Sequence, residues 1–169
     1  MKTALFIGRF QPFHIGHLDV IKQALKENDF LIIGIGSAED NFLPDNPFTA
    51  GERFGMIRET LKNEKISAEK YSIVPIRNIN NYALWTKHVS ILLPPFETVY
   101  TGSPIVKKLF EKEKKYTIKN SKIIHPINAT LIRTALLKNA DWEKMVPPPV
   151  AKILREINGQ ERMAITTRP

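Results

Sequence analysis

Short apolar runs alternate with longer segments of helical periodicity along the whole chain. Continuous apolar runs are typical of strands with both faces covered, and the strands predicted at 3–8, 29–37, 71–76 and 97–102 are mostly of this kind, with a shorter fifth candidate at 115–119. Strands that alternate with helices of about 10–15 residues predict parallel βαβ units. We therefore expect an α/β fold, a parallel sheet with helices on both of its faces.

The segments between the strands carry signals for the starts of helices. Thr49 is predicted to be an N-cap, and Glu52, three residues later, completes a capping box. Ser103 followed by Pro104 predicts an N-cap and a first helical residue. Further helices are predicted from Gly16 to about Glu27, at 82–93, and at 128–139 with Asn128 or Thr130 as its cap; the segment 141–159 is predicted to hold a short helix and then a longer one after its prolines.

Length and composition narrow the class of protein. The 169 residues are 43% hydrophobic, which fits one globular domain over 1–169 with a helical C-terminal segment from about residue 128. The chain has no cysteine, which excludes disulfides and thiolate chemistry. No signal peptide is evident, and no stretch approaches the roughly 18 apolar residues of a membrane span. We therefore expect a soluble, cytoplasmic protein that does not bind a membrane.

The formal net charge of +8 suggests an anionic partner. Much of the excess lies in the lysine-rich stretch 107–122, where Glu111 and Glu113 are interleaved with the lysines. Such a stretch is more typical of a solvated face than of a binding site, and no RNA- or DNA-binding motif accompanies it. We therefore expect no nucleic-acid partner.

A cluster of hydrogen-bond donors follows the first predicted strand, in the segment GRFQPFHIGH (8–17). Gly8 lets a ligand approach the backbone where the strand ends, and Arg9 carries a planar fork suited to phosphate. His14 and His17 are three residues apart and face the same side as a helix begins. A helix N-terminus favours anions, and nothing in the segment is acidic. We interpret the segment as a compact cationic site for a polyphosphate.

Two other interpretations of the histidine pair remain open. The pair could bind a metal, although no third ligand is evident, or the two side chains could be helix caps without a ligand. Other phosphate-binding patterns are weak or absent: the P-loop pattern GxxxxGK[ST] does not occur, and GIGSAE (34–39) lacks the third glycine of a dinucleotide fingerprint. We therefore favour phosphate binding by the segment that contains the histidines.

The segment GRFQPFHIGH resembles the HxGH signature of the nucleotidyltransferase superfamily. Four further segments, in the same order, are similar to the archaeal-type nicotinamide-nucleotide adenylyltransferase family: IIGIGSAEDNFLPDNPFTAGER, LWTKHVSILLPPFETVYTGSP, INATLIR and VPPPVAKILREINGQER. The resemblance implies a Rossmann-like sheet of the nucleotidyltransferase type. It also implies transfer of AMP from ATP to nicotinamide mononucleotide, giving NAD and pyrophosphate. A divalent ion, Mg²⁺, would bind mainly through the ATP phosphates without a protein metal site, and a homo-oligomer is implied, with a hexamer as the suggested size.

The resemblance also implies roles for individual residues. The histidines would contact the ATP phosphates, and Arg133 would hold the β- and γ-phosphates. Trp85 and Phe10 are assigned to the nicotinamide mononucleotide, with Trp85 stacked on the cationic ring; core packing is the alternative for Trp85. The expected catalytic residues are His14, His17, Arg9 and Arg133, and the expected ATP-binding residues are Gly8, Arg9, His14, His17, Gly102, Ser103, Thr130 and Arg133.

Two segments depart from the family pattern. The motif ISGTxIR reads INATLIR here, so Asn128 and Ala129 replace the usual Ser and Gly. Asn128 is still able to cap a helix, whereas the methyl group of Ala129 is expected to hinder close approach of a phosphate. The loop after GSA often carries a Ser-His pair and here reads Asn41-Phe42, which removes a histidine contact.

Several alternatives stay open at this stage. The acceptor could instead be phosphopantetheine, flavin mononucleotide or a substrate of cytidylyl transfer, and the chain could be a nucleotide sensor that has lost catalysis. The choice between nicotinamide and nicotinic acid mononucleotides is not decided. Arg53 is interpreted first as part of a helix start and second as a phosphate ligand, and Trp142 is interpreted as a packing residue. His88 and His125 are assigned no role.

Overall fold

The computed structural model describes residues 1–120 and 125–167, and a five-stranded parallel sheet lies at its centre. The spatial order of the strands is β3-β2-β1-β4-β5, and every neighbouring pair is parallel. The prediction of a parallel α/β sheet is therefore confirmed. The strands are β1 (Thr3–Gly8), β2 (Phe30–Ile35), β3 (Tyr71–Pro75), β4 (Thr98–Tyr100) and β5 (Thr117–Lys119).

Seven α-helices occur among the described residues. They are α1 (Ile15–Glu27), α2 (Ala50–Asn63), α3 (Trp85–Leu92), α4 (Pro104–Lys112), α5 (Ala129–Leu137), α6 (Pro148–Glu156) and α7 (Gly159–Thr166), and short 3₁₀ turns lie at Ala68–Lys70 and Glu143–Met145. No helix of the described residues is long and apolar enough to cross a bilayer.

The predicted helix caps are confirmed, and the structure decides between the two candidates for the cap of α5. Thr49 and Glu52 form a capping box at the start of α2, and Ser103 caps α4 ahead of Pro104. Asn128, rather than Thr130, caps α5 by accepting a hydrogen bond from the amide of Leu131. The sequence interpretation missed α7, which begins after Asn158 turns the chain in the left-handed region (φ 52°).

The two faces of the sheet carry separate hydrophobic clusters. Successive side chains of a strand point to opposite faces, so Ala4 and Phe6 of β1 join one cluster, whereas Leu5 and Ile7 join the other. Helices α1, α2, α5, α6 and α7 contribute buried residues to the first cluster, and α3 and α4 contribute to the second. Because both faces are covered, the strands can be continuously apolar, and β1 and β2 have this pattern.

The strand order reverses at β1, and this reversal positions the site. The chain builds β2 and β3 on one side of β1 and then places β4 and β5 on the other side. Loops that leave the carboxyl ends of β1 and β4 therefore diverge and open a crevice between them. The segment GRFQPFHIGH follows β1 directly, so the fold brings it to this crevice.

Candidate active site

A cavity of about 840 Å³ lies at the carboxyl ends of β1, β2 and β4. Its wall contains residues of the loop after β1, the starts of α1, α3 and α4, and the loop before α5. Nearly all the residues predicted for the site meet on this wall, namely Gly8, Arg9, Phe10, His14, His17, Trp85, Gly102, Ser103 and Arg133. Thr130 is not on the wall; its hydroxyl accepts a 3.4 Å hydrogen bond from Arg133. All these residue roles remain predictions.

The two histidines hold each other at the start of α1. The backbone amide of His14 donates to Nδ1 of His17 at 3.2 Å, and the amide of His17 donates to Nδ1 of His14 at 3.3 Å. The rings stack with centroids 3.5 Å apart. Because an amide can only donate, each Nδ1 is an unprotonated acceptor, and a neutral ring must then carry its proton on Nε2. The capping interpretation is therefore correct for Nδ1, and each ring keeps one N–H donor.

Burial keeps both histidines uncharged at neutral pH. Desolvation lowers the pKa of His14 to about 4, although the nearby Asp19 carboxylate opposes this shift. Desolvation, followed by the influence of His14, holds the pKa of His17 well below its ordinary value. The interpretation of 8–17 as a cationic cluster is thus wrong for the histidines, since at neutral pH the guanidinium of Arg9 supplies the positive charge of this segment. The histidines offer neutral donors instead.

The first turn of α1 adds backbone donors to the site. Among the described residues, the amides of Ile15 and Gly16 have no hydrogen-bond partner, as expected for the first residues of a helix. Such amides favour anions. Gly16 has a packing reason as well, because a Cβ there would lie 3.2 Å from the imidazole of His14 and 3.5 Å from the carbonyl oxygen of His125. His125 in turn contacts Asp19 of α1 through Nδ1, at 2.7 Å.

Arg133 reaches the cavity from the second turn of α5 and is 6% exposed. Its Nη1 donates to the carbonyl oxygen of Gln11 at 3.0 Å, and its Nη2 contacts a carboxylate oxygen of Asp45 at 2.6 Å. Burial lowers the pKa of Arg133, and Asp45 opposes that change. The alternative of an ordinary surface arginine is therefore wrong: this guanidinium is buried, oriented and directed at the cavity.

Arg53 is also buried, with 0% exposure, but its guanidinium is fully used by the protein. Nε donates to the carbonyl oxygen of Thr49, Nη1 to those of Arg9 and Gly36, and Nη2 to those of Ser37 and Asp40, at 2.9–3.5 Å. An arginine has five N–H groups, so none remains for a phosphate. The second interpretation of Arg53, as a phosphate ligand, is wrong.

Arg53 instead joins the loops that border the cavity. Its partners belong to the loop after β1, the loop after β2 and the cap of α2. Phe10 and Ser37, both in the left-handed region (φ 52° and 47°), lie in these loops. Such conformations persist where surrounding contacts hold them. The bonds from Arg53 to Arg9 and Ser37 provide such contacts.

The two residues assigned to the nicotinamide nucleotide differ in what they offer the cavity. The ring of Phe10 is 1% exposed and packs against Phe6, Phe13 and His17, so its ring supports the wall from behind. A Cβ at Gly8 would lie 3.2 Å from this ring, which explains the glycine. Trp85, 9% exposed, meets the ring of Phe110 edge to face while also lining the cavity. Both interpretations of Trp85 thus describe part of its surroundings.

The remaining predicted residues lie at helix starts. Ser103 uses its hydroxyl to accept from the amide of Val106 at 3.4 Å, as the cap of α4. A Cβ at Gly102 would meet nothing within 4 Å, so the glycine is not required by protein packing. Ala129 is the first residue of α5 and lines the cavity, in a helical conformation that does not require glycine.

Two residues that the sequence analysis did not single out organise the loop beside Arg133. The side-chain amide of Gln11, which is 1% exposed, binds both the amide and the carbonyl of Phe48 at 2.9 Å. Asp45 contacts Arg133 from the tip of the turn that precedes Phe48. No local signal marks either role, because the partners are 37 and 88 residues away in the chain. Among the described residues no group of three or more histidine, aspartate or glutamate side chains is arranged to hold a metal.

Comparison with known families places the chain by sequence. A model of the cytidylyltransferase-like family matches residues 5–135. The nicotinamide-nucleotide adenylyltransferase of Thermoplasma volcanium is 46% identical over 162 residues, which cover 95% of this chain and 89% of that protein. The enzyme of the same name from Archaeoglobus fulgidus is 44% identical over 165 residues, 95% of this chain and 94% of that protein.

Solved structures share the fold at lower sequence identity. A bifunctional NMN adenylyltransferase/ADP ribose pyrophosphatase from Francisella tularensis, complexed with AMP and a manganese ion, superposes with a TM-score of 0.78 at 23% identity. The match covers 98% of this chain and 52% of the other, so the present chain spans about half the length of that bifunctional protein.

Proposed function

The chain belongs to the cytidylyltransferase-like family and, within it, to the nicotinamide-nucleotide adenylyltransferases, and we propose that it transfers AMP from ATP to nicotinamide mononucleotide (NMN), forming NAD and pyrophosphate. The observation that carries this proposal is the convergence of His14, His17, Arg9 and Arg133 on one cavity at the strand-order reversal. These side chains offer hydrogen-bond donors suited to a chain of phosphates.

The proposed reaction needs no protein nucleophile. An oxygen of the NMN phosphate, already ionised at neutral pH, attacks the α-phosphorus of ATP, and the bond from that phosphorus to the bridging oxygen of the β-phosphate breaks. Pyrophosphate leaves with the electron pair, and no proton has to be removed from the attacking oxygen. Catalysis can therefore rest on positioning and on donors preorganised for the charge that develops at the α-phosphate.

The side chains divide this task by charge. The Nε2–H groups of His14 and His17 would donate to phosphate oxygens, with His17 nearest the α-phosphate. The capping box fixes the rings, so these donors need no reorganisation during the reaction. Arg9 would lie beside the reacting phosphates, and Arg133 would bind the β- and γ-phosphates that become pyrophosphate. The free amides at the start of α1 add to the same anion site.

Trp85 is proposed to stack on the nicotinamide ring. The ring of NMN carries a positive charge, and an indole face attracts such a ring by about 0.5–2 kcal/mol. The packing of Trp85 against Phe110 would hold the indole in place for this contact. Phe10 would act through its backbone, since its ring is buried.

We further propose that Mg²⁺ accompanies ATP, bound through phosphate oxygens and water. When bound, the ion neutralises charge on the triphosphate. We also propose a homo-oligomer, with a hexamer as the expected size. Exposed apolar side chains at Tyr82, Leu84 and Ile91 are consistent with contacts between copies. The proposed location is the cytoplasm, where ATP is at hand.

The deciding experiment is an assay of the purified chain with ATP, Mg²⁺ and NMN that scores both NAD and pyrophosphate. Nicotinic acid mononucleotide, phosphopantetheine and flavin mononucleotide are run in parallel as acceptors. His17→Ala serves as the site variant, and His88→Ala, at a histidine outside the cavity wall, serves as its matched control.

The outcomes separate the competing functions. NAD formation that falls about 10²–10³-fold in His17→Ala and persists in His88→Ala supports both the reaction and the assigned site. Turnover with a different acceptor alone keeps the chemistry and overturns NMN as the substrate. ATP binding without turnover of any acceptor favours a sensor. A wild-type rate in folded His17→Ala overturns the assigned role of His17.

A further inference from the structure

The contact between Asp45 and Arg133 occupies the guanidinium that the proposed function assigns to the β- and γ-phosphates. Asp45 Oδ1 lies 2.6 Å from Nη2 of Arg133. The side chain of Arg133 is 7% exposed and that of Asp45 is 74% exposed. The carboxylate therefore occupies one nitrogen of a guanidinium that lines the cavity, while most of the Asp45 side chain stays in contact with solvent.

The turn that carries Asp45 is held in place independently of this contact. Leu43 and Asn46 exchange two backbone hydrogen bonds, at 3.2 and 3.1 Å, so Pro44 and Asp45 form the tip of a tight turn. Two contacts anchor the turn: the side-chain oxygen of Asn46 accepts from Arg9 at 3.4 Å, and the side chain of Gln11 binds the backbone of Phe48. Asp45 is thus presented to Arg133 by an anchored loop rather than by a free chain end.

The charges around the turn explain why a carboxylate rests there. Burial is the main cause that lowers the pKa of Arg53 and of Arg133, and Arg9 lies close enough to both to add a smaller lowering effect. The N–H groups of Arg53 are satisfied by backbone oxygens, whereas Arg133 has a single carboxylate partner among the described residues. A carboxylate is the protein group most like a phosphate oxygen in charge and hydrogen bonding. Without nucleotide, the carboxylate of Asp45 gives Arg133 the negatively charged partner that the phosphates of ATP would provide.

We propose that Asp45 is an internal competitor of the nucleotide triphosphate for Arg133, so that its carboxylate sets the affinity for ATP. The inference deepens the proposed function and rests on it for the identity of the polyphosphate. An exposed carboxylate is released easily, because solvent screens an exposed ion pair. A triphosphate with several negative charges displaces it, and the cost of displacement weakens ATP binding without changing the chemical step.

The test is Asp45→Asn, which keeps the shape and removes the charge. We expect the KM for ATP to fall about three- to tenfold, the size expected for one partly screened charge near the binding site. The values of kcat and of the KM for NMN should stay within about twofold. The triphosphate displaces Asp45 when it binds, so the cost is the same for the bound substrate and for the transition state. Asp141→Asn, which removes an exposed carboxylate paired with Lys144 outside the cavity wall, is the matched control and should leave all three constants unchanged.

A second arm tests the contact itself. Inorganic tripolyphosphate, titrated calorimetrically, should bind Asp45→Asn more tightly than wild type by a similar factor. In an Arg133→Gln background the same substitution should have no effect, since the group under competition is gone. An unchanged or raised KM for ATP in folded Asp45→Asn overturns the proposal; a raised KM means that Asp45 orients Arg133 or helps to bind the nucleotide and its cation.

The two proposals fail separately. If wild type makes no NAD from ATP and NMN, the proposed function fails, and the tripolyphosphate titrations still decide whether Asp45 competes for Arg133. If wild type is active and both arms show no gain in Asp45→Asn, the competitor role fails and the proposed function stands.

Discussion

Arg53 and Arg133 are both buried arginines at the same edge of the sheet, yet they do different work. Arg53 directs all five N–H groups at backbone carbonyl oxygens of the surrounding loops. Arg133 donates to one carbonyl oxygen and to one threonine hydroxyl, and its strongest partner is an exposed carboxylate. Residue type and burial are alike, so what separates the two is whether their partners can be exchanged.

The difference shows how a buried guanidinium acquires its role. The carbonyl oxygens that bind Arg53 belong to the loops and to the cap of α2, so they can move only if the backbone moves. Arg53 therefore has a structural role. The carboxylate of Asp45 can leave while the backbone stays in place, so Arg133 is available to a ligand. A guanidinium with saturated donors stabilises the site, and one with an exchangeable partner is able to bind substrate.

The largest effect is expected for Arg53→Met. It removes five hydrogen bonds from a charged donor group, so the free energy of unfolding should fall by about 3–5 kcal/mol. Denaturant unfolding measures this change, and Arg58→Met, at an exposed position of the same helix, is the matched control. A loss below about 1 kcal/mol would show that the loops do not depend on Arg53 and would remove the contrast with Arg133.

Arg133→Ala is expected to act on catalysis instead. The value of kcat/KM should fall about 10²–10³-fold through loss of a preorganised phosphate donor, while the circular dichroism spectrum is preserved. Arg155→Ala removes an exposed arginine that is paired with Glu143, and its activity should remain at the wild-type level. Arg133→Gln provides a second variant if the alanine protein is unstable. Wild-type activity in either folded variant would place Arg133 with Arg53 as a structural residue.

The smallest of the three expected effects concerns the histidines, which are buried like the two arginines but act as neutral donors. Burial lowers the pKa of His14 to about 4, below the ordinary value of about 6.5, and the unfolded chain therefore binds more protons between these values. This contribution to stability is complete above about pH 6.5 and is lost as the pH falls toward 4, by up to about 3 kcal/mol.

Denaturant unfolding at several pH values checks this expectation. His14→Asn should flatten the decline of the unfolding free energy between pH 6.5 and 4, with the share due to His17 remaining, whereas His88→Gln should retain the wild-type slope. Equal slopes in all three proteins would mean that folding does not lower the pKa of His14, and the claim that burial holds this histidine neutral would be incorrect.

Much of the fold could be predicted from local sequence signals. Apolar runs mark most of the strands, although not β5. The capping box of Thr49 and Glu52 and the Ser103-Pro104 pair mark helix starts, because each signal acts within a few residues. The position of GRFQPFHIGH after the first strand was enough to place it at the ligand-binding edge of a parallel sheet. The helix α7 was missed because its start depends on a left-handed asparagine rather than on a side-chain cap.

By itself the sequence determined the order of the strands and of the helices through α6, the donor cluster after β1 and the family to which the chain belongs. Only the tertiary structure decided that burial favours the neutral histidines, that the N–H groups of Arg53 are saturated and that Asp45 contacts Arg133. The physical reason is that protonation and donor availability depend on burial and on partners far away in the chain. Arg133 meets Gln11 across 122 residues and Asp45 across 88, and no local pattern encodes such meetings.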